Sequence, residues 1–179
     1  MTYAALIEKL RRSTVQVLSG RGGGSGVVWD RGGLVVTNAH VAAGKYAEVV
    51  DAAGQHRQAR IIRRDRERDL ALLVVAGEDL ARAEIGDSDR LRAGEVVVAV
   101  GMPGAFSTVA GVIHTAGPGR KWVQADLHLA PGYSGGILAD AGGRVIGINT
   151  MIFRGIGLAI PSNGVSKFVR EELRGARAA

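Results

Sequence analysis

Pro131-Gly132-Tyr133-Ser134-Gly135-Gly136 holds one serine among three glycines, with an apolar run on each side. Glycines at this spacing allow the backbone to turn tightly, to adopt positive φ angles and to direct consecutive N–H groups into one concavity. Such a concavity suits an oxyanion. An ordinary hairpin turn has the same composition, however, so the stretch indicates catalysis only if partner residues exist elsewhere in the chain.

A serine hydroxyl is a poor nucleophile at neutral pH, and acyl transfer therefore needs a base and a group that orients the base. The chain has four histidines. His40 follows an apolar strand pattern and a small-residue turn, which would hold its imidazole at a strand end. His56 lies in an arginine-rich stretch, His114 in a strand pattern and His128 among alternating apolar residues, so a solvated or packed side chain is the default interpretation of these three.

The orienting carboxylate is expected where an acidic residue directly precedes a buried strand, because it must be partly desolvated beside the imidazole. Asp69 stands before such an apolar run. Asp65 and Glu67 lie inside a charge run, for which a solvated surface segment is the better interpretation. The resulting order of His40, Asp69 and Ser134 is one of three chain orders in which a Ser-His-Asp triad occurs.

Short motifs extend the pattern along nearly the whole chain: TNAH (37–40), DLALL (69–73), GDSDRLRAG (86–94), VAVGMP (98–103), PGYSGG (131–136), GINT (147–150) and GLAIPSN (157–163). In this order they resemble the protease domain of the HtrA/Deg serine proteases. The resemblance implies an all-β fold of two six-stranded antiparallel β-barrels of the chymotrypsin/trypsin type, with short N- and C-terminal helices. It also implies a serine endopeptidase that needs no cofactor and no metal.

The resemblance assigns catalytic roles to His40, Asp69 and Ser134, and it assigns the oxyanion hole to the backbone N–H groups of Gly132 and Ser134. The substrate-binding residues that it implies are Leu129, Tyr133, Thr150, Met151 and Ile152. Two positions depart from the family pattern, since Tyr133 stands where asparagine is usual and Ile137 where proline is frequent. Neither position supplies triad chemistry, but we expect Tyr133 to affect the mouth of the pocket.

The composition fits one domain built mainly from strands. Of 179 residues, 46% are hydrophobic and only 4% aromatic, so Val, Ile, Leu and Ala must form the core, and Val and Ile favour strands. The absence of cysteine excludes a disulfide scaffold and leaves the compartment open. No apolar run approaches the ~18 residues of a membrane span, and residues 1–12 are amphipathic, which differs from a signal peptide.

The chain is basic, with a net charge of +6 and a sequence pI of about 10.3. The arginines of the stretch 57–68 have no aromatic residues interleaved among them for stacking on bases, and no nucleic-acid fold signature is present. We therefore expect an electrostatic preference for acidic partners and no nucleic acid as a partner.

The predicted elements form two similar halves. Thr2 caps a helix that ends near Arg12. Strand patterns of the first half lie at 15–18, 27–29, 34–36, 47–50, 58–63 and 70–75, and those of the second half at 96–100, 106–115, 121–126, 137–139, 144–152 and 157–160. As one trypsin-like protease domain, 1–179, the chain comprises a helix and first barrel (1–76), a connection (77–94), a second barrel (95–160) and a C-terminal helix and tail (161–179).

The predicted function is hydrolysis of peptide bonds in unfolded or misfolded segments, after small or medium aliphatic residues, because no carboxylate falls in 149–157 to pair with a lysine or arginine of the substrate. The alternative is a latent or inactive protease-fold module that binds unfolded polypeptide as a chaperone does. The resemblance further implies a homotrimer and favours the periplasm or cell envelope. We expect neither a signal peptide nor the PDZ domain usual in that family within this chain.

Overall fold

Strands arranged in two closed barrels form the body of the computed structural model, which describes residues 1–20, 22–76 and 80–178. The first barrel consists of β1 (Thr14–Ser19), β2 (Gly22–Asp30), β3 (Leu34–Thr37), β4 (Tyr46–Val50), β5 (His56–Asp65) and β6 (Leu70–Val75). The second consists of β7 (Val96–Gly101), β8 (Ser107–Thr115), β9 (Val123–Asp126), β10 (Ile137–Asp140), β11 (Val145–Phe153) and β12 (Ile156–Pro161).

Each barrel closes through antiparallel pairs, in the strand order β1-β2-β3-β6-β5-β4 for the first and β10-β11-β12-β9-β8-β7 for the second. The helices α1 (Tyr3–Arg12) and α2 (Ser162–Ala178) lie at the two ends of the chain, and one 3₁₀ turn (Ser88–Arg90) lies between the barrels in the sequence. This arrangement confirms the predicted fold class of two six-stranded antiparallel barrels with terminal helices.

Strand β6 explains why the sequence shows continuous apolar runs. Side chains alternate between the two faces of a strand. Ala71 and Leu73 point into the first barrel, whereas Leu70 and Leu72 join a second core that also receives residues of the other barrel and of both helices. Because both faces of β6 are buried, apolar residues occupy every position, and the barrels share one hydrophobic interface.

Both helices cover this shared core. In α1, the Thr2 hydroxyl accepts a hydrogen bond from the Ala5 N–H at 3.2 Å, which confirms the predicted cap, and Leu6 and Leu10 are buried. In α2, Phe168 is fully buried. The helix runs to Ala178, so the part of 161–179 that we predicted as a tail is helical through residue 178. Glu, Leu, Arg and Ala favour helices strongly enough to continue it.

Strand β2 begins at Gly22, five residues before the predicted strand 27–29. Its register places Gly22 opposite Ser19 and Gly24 opposite Val17 of β1. A Cβ atom on Gly24 would lie 2.7 Å from the carbonyl oxygen of Ser134, so only glycine permits this strand to approach the second barrel. Glycine has a low strand propensity, and for this reason the run escaped the sequence pattern.

The connection predicted at 77–94 lies between β6 and β7, and its first residues, 77–79, lie outside the described residues. The last residue of the predicted tail, 179, also lies outside them. The Ser162 hydroxyl at the start of α2 donates to the carbonyl of Gly86 at 2.8 Å and joins the connection to this helix. In the part of the chain that the structure describes, no helix is long and apolar enough to cross a membrane.

Candidate active site

His40 and Asp69 form a two-point contact within the first barrel. The Asp69 carboxylate accepts the His40 backbone N–H at 3.0 Å through one oxygen and contacts His40 Nδ1 at 2.8 Å through the other. An ionised carboxylate can only accept hydrogen bonds, so Nδ1 carries the proton and donates. The neutral imidazole therefore has its lone pair on Nε2, which is the tautomer that a general base needs.

The hydrogen bond that His40 donates to Asp69 raises the pKa of His40 above its usual 6.5, and the Coulomb attraction of the carboxylate acts in the same direction. Partial burial of the ring opposes the rise, because desolvation disfavours the imidazolium. The His40 side chain is half exposed and Asp69 is mostly covered. The His40 ring thus faces solvent while its partner is shielded.

Asp69 is the last residue of the turn between β5 and β6, and its φ of +56° is unusual for a residue other than glycine. The Asn38 side-chain amide donates to the Asp69 carbonyl at 2.9 Å and to the Thr150 hydroxyl at 3.1 Å. Asn38 therefore holds Asp69 in place and joins the first barrel to β11 of the second.

Ser134 lies in a loop between β9 and β10, here called the serine loop (residues 131–136). Its hydroxyl donates to the carbonyl of Thr150 at 3.0 Å. Thr150 occupies a register shift in β11 between the pairs Asn149–Ala159 and Met151–Leu158, and such bulges redirect backbone groups. In this arrangement the Ser134 hydroxyl is bound to β11 through the Thr150 carbonyl.

The backbone N–H groups of the serine loop differ in whether they have an acceptor within the protein. The N–H groups of Tyr133, Gly135 and Gly136 donate to carbonyls of the protein at 2.8–3.2 Å. Among the described residues, the N–H groups of Gly132 and Ser134 have no acceptor within the protein. Gly132 has a φ of +101°, which residues with a side chain rarely adopt. The two donors predicted for an oxyanion hole are thus the two that the fold leaves available.

A cleft of about 460 Å³ contains both His40 and Ser134. The structure brings to its walls every substrate-binding residue predicted from the sequence, namely Leu129, Tyr133, Thr150, Met151 and Ile152. Ala130 and Pro131 complete the wall, and no carboxylate lines this cleft among the described residues. Met151 and Ile152 are partly exposed, whereas Tyr133 is only 4% exposed.

The Tyr133 side chain points into the second barrel. Its phenol oxygen pairs with the Ser107 hydroxyl at 2.7 Å, and its ring packs so closely on Gly101 that a Cβ there would lie 3.0 Å from the ring. Tyr133 therefore supports the cleft from inside, in addition to lining it. Asparagine is usual at this position in the family that the chain resembles. The tyrosine found here fits the position because its side chain is buried and hydrogen-bonded.

The remaining histidines do not line the cleft. His56 pairs with Glu48 across β4 and β5, and His114 and His128 are exposed. Asp65 accepts the Arg68 N–H within its own turn. Among the described residues, no cluster of three or more His, Cys, Asp or Glu side chains could hold a metal ion.

Three buried residues that connect these groups were not predicted from the sequence. Ser25 of β2 contacts the serine loop, Thr37 of β3 donates to the Ser25 carbonyl at 2.6 Å, and Asn38 contacts Asp69 and Thr150. Thr37 and Asn38 belong to the TNAH motif, which could have indicated them. Ser25 follows a run of glycines and carries no local signal.

Comparisons with known proteins indicate the family of the chain. The family described as a trypsin-like peptidase domain matches residues 24–148. The serine protease HTRA1 of Xenopus laevis is 36% identical over 163 residues, which cover 83% of this chain and 36% of that protein. A probable periplasmic serine endoprotease, DegP-like, of Marinomonas sp. (strain MWYL1) is 36% identical over 168 residues, covering 84% of this chain and 35% of that protein.

The solved structure titled "HtrA-type protease AlgW with decapeptide" superposes with a TM-score of 0.86 at 25% identity, covering 97% of this chain and 68% of that one. This chain spans about a third of the length of the two curated relatives. The family match covers more than half of the chain, and it lies between the glycine run of β2 and the strand that carries Thr150. The chain therefore belongs to the trypsin-like peptidase family, within its HtrA/Deg group of serine proteases.

Proposed function

We propose that the chain is a serine endopeptidase in which Ser134 is the nucleophile, His40 the general base and Asp69 the residue that orients the base. The observation that carries the proposal is one cleft that holds both His40, paired with Asp69, and Ser134. The two barrels supply the two halves of this constellation. Such an arrangement has the roles required for acyl transfer.

The proposed reaction begins when Ser134 turns from Thr150 toward His40 Nε2. The hydroxyl oxygen attacks the scissile carbonyl carbon while its proton passes to Nε2, and the N–H groups of Gly132 and Ser134 stabilise the oxyanion. The imidazolium, stabilised by Asp69, then protonates the leaving amine, and the C–N bond breaks. Water, activated by the same imidazole, hydrolyses the acyl-enzyme and restores the Ser134 hydroxyl.

We propose unfolded or misfolded polypeptide as the substrate class. The outer part of β11, at Met151 and Ile152, pairs with β12 on one edge and borders the cleft. An extended peptide could add to the other edge as a strand, whereas a folded segment could not. Because the cleft walls are mostly apolar and carry no carboxylate, we propose cleavage after Val, Ala or Leu.

Mass spectrometry of a digested unfolded protein tests the substrate preference. Cuts after small and medium aliphatic residues are expected. Cuts that cluster after lysine or arginine would show that the cleft residues have been assigned wrongly, and they would leave the triad assignment unaffected.

Covalent labelling tests the catalytic assignment directly. A fluorophosphonate probe should label Ser134, as located by peptide mapping, and the purified protein should cleave casein. The Ser134→Ala variant should lose both activities and remain folded, because alanine is small enough for the loop. Cleavage that persists in this variant would remove Ser134 as the nucleophile.

The alternative function is a latent or inactive module that binds unfolded polypeptide. The hydrogen bond from Ser134 to Thr150 favours it, since this bond keeps the hydroxyl away from the base. Absence of labelling together with binding of unfolded casein would support the alternative. Labelling of Ser134 would exclude an inactive module.

We also propose an extracytoplasmic location and a homotrimeric assembly. The location is supported by the family and by relatives named as periplasmic, and the assembly is supported by the family resemblance alone. Cell fractionation and sedimentation equilibrium of the purified protein test these two proposals separately.

A further inference from the structure

We infer that Ser25 is a positioning residue that fixes the geometry of the serine loop, an inference about catalysis that rests on the function proposed above. Ser25 lies in β2 of the first barrel and is completely buried. It lies outside the set of residues that line the cleft, so any influence on the reaction must act through the groups that it contacts.

All polar atoms of Ser25 are engaged in hydrogen bonds. Its hydroxyl donates to the carbonyl of Gly132 at 2.7 Å and accepts the backbone N–H of Met102 at 2.7 Å. Its backbone N–H donates to the carbonyl of Ser134 at 2.8 Å. Its carbonyl accepts the Thr37 hydroxyl at 2.6 Å.

These contacts fix the serine loop at two carbonyls, one in Gly132 and one in Ser134. The two available N–H groups belong to the same two residues. Glycine has the greatest backbone freedom of any residue type. The orientation of Gly132 must therefore be set by hydrogen bonds to other residues. An oxyanion hole works only when its donors are held in place before the reaction, and Ser25 supplies that constraint.

Ser25 also connects the loop to the proposed base. Thr37, which donates to the Ser25 carbonyl, ends β3 three residues before His40. On the opposite side, Gly135 packs so closely that a Cβ atom there would collide with the Ser25 carbonyl and the Thr37 hydroxyl. One buried residue therefore joins the strand that leads to the base and the loop that carries the nucleophile.

Ser25→Ala removes the hydroxyl and keeps the backbone hydrogen bonds. The Gly132 carbonyl and the Met102 N–H then lose their partner. Loss of one complete oxyanion donor lowers kcat by about 10²–10³-fold. Because alanine loosens the donor without deleting it, we expect a fall in kcat of about 10–100-fold. KM should change less than about twofold, since the cleft walls are unaltered.

Ser19→Ala is the matched control. Ser19 is a buried strand serine of the same barrel, and its hydroxyl also makes two hydrogen bonds to backbone, donating to the Ala43 carbonyl at 2.7 Å and accepting the Ala43 N–H at 2.8 Å. Both of these bonds are to Ala43, and none of its hydrogen bonds among the described residues reaches the serine loop. A general loss of stability should therefore appear in both variants, whereas a loss of kcat should appear only in Ser25→Ala.

Ser25→Cys keeps the shape of the side chain and offers a weaker donor, so it should give a kcat between those of Ser25→Ala and the parent protein. If the alanine variant fails to fold, the cysteine variant tests the positioning role of Ser25. We then expect kcat to fall twofold or more at unchanged KM. Equal turnover in the parent, Ser25→Cys, Ser25→Ala and Ser19→Ala proteins would overturn the inference.

Amide hydrogen exchange by NMR separates this inference from the proposed function. In Ser25→Ala the hydrogen-bonded amides of Tyr133, Gly135 and Gly136 should exchange at least tenfold faster than in the parent, while Ser19→Ala leaves them unchanged. This result supports the positioning role even if the parent protein cleaves nothing. Unchanged exchange in the loop would overturn that role even if the protein is an active peptidase.

Discussion

At the scale of single residues, Asp69 combines a proposed catalytic role with an unusual backbone conformation. Asparagine tolerates positive φ better than other side chains, so Asp69→Asn can keep the φ of +56°. The neutral amide would favour the wrong imidazole tautomer, and we expect kcat to fall about 10⁴-fold. Steady-state kinetics on a peptide substrate measure the fall.

Asp65→Asn serves as the control for this prediction, because Asp65 ends β5 directly before the same turn and its carboxylate pairs only with Arg68 among the described residues. Its turnover should stay within about threefold of the parent. Comparable losses in the two variants would indicate that disruption of the turn, and not loss of the orienting carboxylate, lowers activity.

The raised pKa of His40 predicts the direction of the pH dependence. Only the neutral imidazole can accept the Ser134 proton, so kcat/KM should rise with pH through a midpoint above 6.5. The pH–rate profile and the NMR titration of the His40 ring should give the same midpoint. A flat profile between pH 5 and 8 would contradict His40 as the base.

The same pKa shift links His40 to stability. The imidazolium is favoured in the folded state, so its contribution to the free energy of unfolding is fully present below about pH 6.5 and is lost as pH rises through the folded pKa. The stability difference between the parent and Asp69→Asn should shrink over that interval in urea titrations. A difference that grows with rising pH would show that the His40 pKa shift has the opposite sign.

At the scale of elements, α2 depends on one aromatic anchor. Phe168 is fully buried in the core between the barrels, and the Arg63 guanidinium of β5 lies 4.4 Å from its ring centroid. Phe168→Ala should lower the free energy of unfolding by about 3–5 kcal/mol, because it removes the buried ring and leaves a cavity. Urea unfolding followed by circular dichroism measures the change.

Leu173→Ala on the same helix provides the comparison, since Leu173 is 42% exposed. We expect its effect to stay within about 0.5 kcal/mol. Similar effects of the two substitutions would mean that α2 contributes little to the core.

Elements were predictable where burial follows a local pattern. The Val- and Leu-rich runs gave β6 and β7 within about one residue, because both faces of these strands are apolar. Strand β2 was predicted too short. Gly24 is required because the backbone of Ser134 lies close to it, and the local sequence gives no sign of this contact. The small residues of 39–43 favour one turn of helix, and in the structure this turn is limited to hydrogen bonds from the N–H groups of Val41 and Ala42 to the carbonyl of Asn38.

At the scale of the whole molecule, the shared core should make the barrels unfold together, as one domain. Trp29 of the first barrel and Trp122 of the second both pack against the core that contains residues of both barrels. Single-tryptophan variants Trp29→Phe and Trp122→Phe should show coincident urea midpoints after correction for each substitution's own effect. Two separate transitions would show that the barrels are independent units.

Site residues could be predicted from the sequence when a short local motif marks them. They could not be predicted when their role depends on residues far away along the chain. His40, Asp69 and Ser134 each sit in a short local motif, and the structure brings His40 and Ser134 to one cleft with Asp69 behind His40. Ser25 reaches Met102 across 77 residues and Gly132 across 107, so no nearby residue reveals it. Which face of the loop Tyr133 occupies likewise depends on Ser107 and Gly101 in other strands.

The long hydrogen bonds of the site have a consequence for the order of events during synthesis. The bonds from Ser25 to Gly132 and from Asn38 to Thr150 span 107 and 112 residues, and contacts at such separations form late because closing long loops is entropically unfavourable. On the ribosome, His40 and Asp69 emerge long before Ser134 exists. An incompletely synthesised copy of the proposed peptidase therefore cannot cleave other polypeptides. Hydrolysis begins only after the long-range contacts of the site have formed.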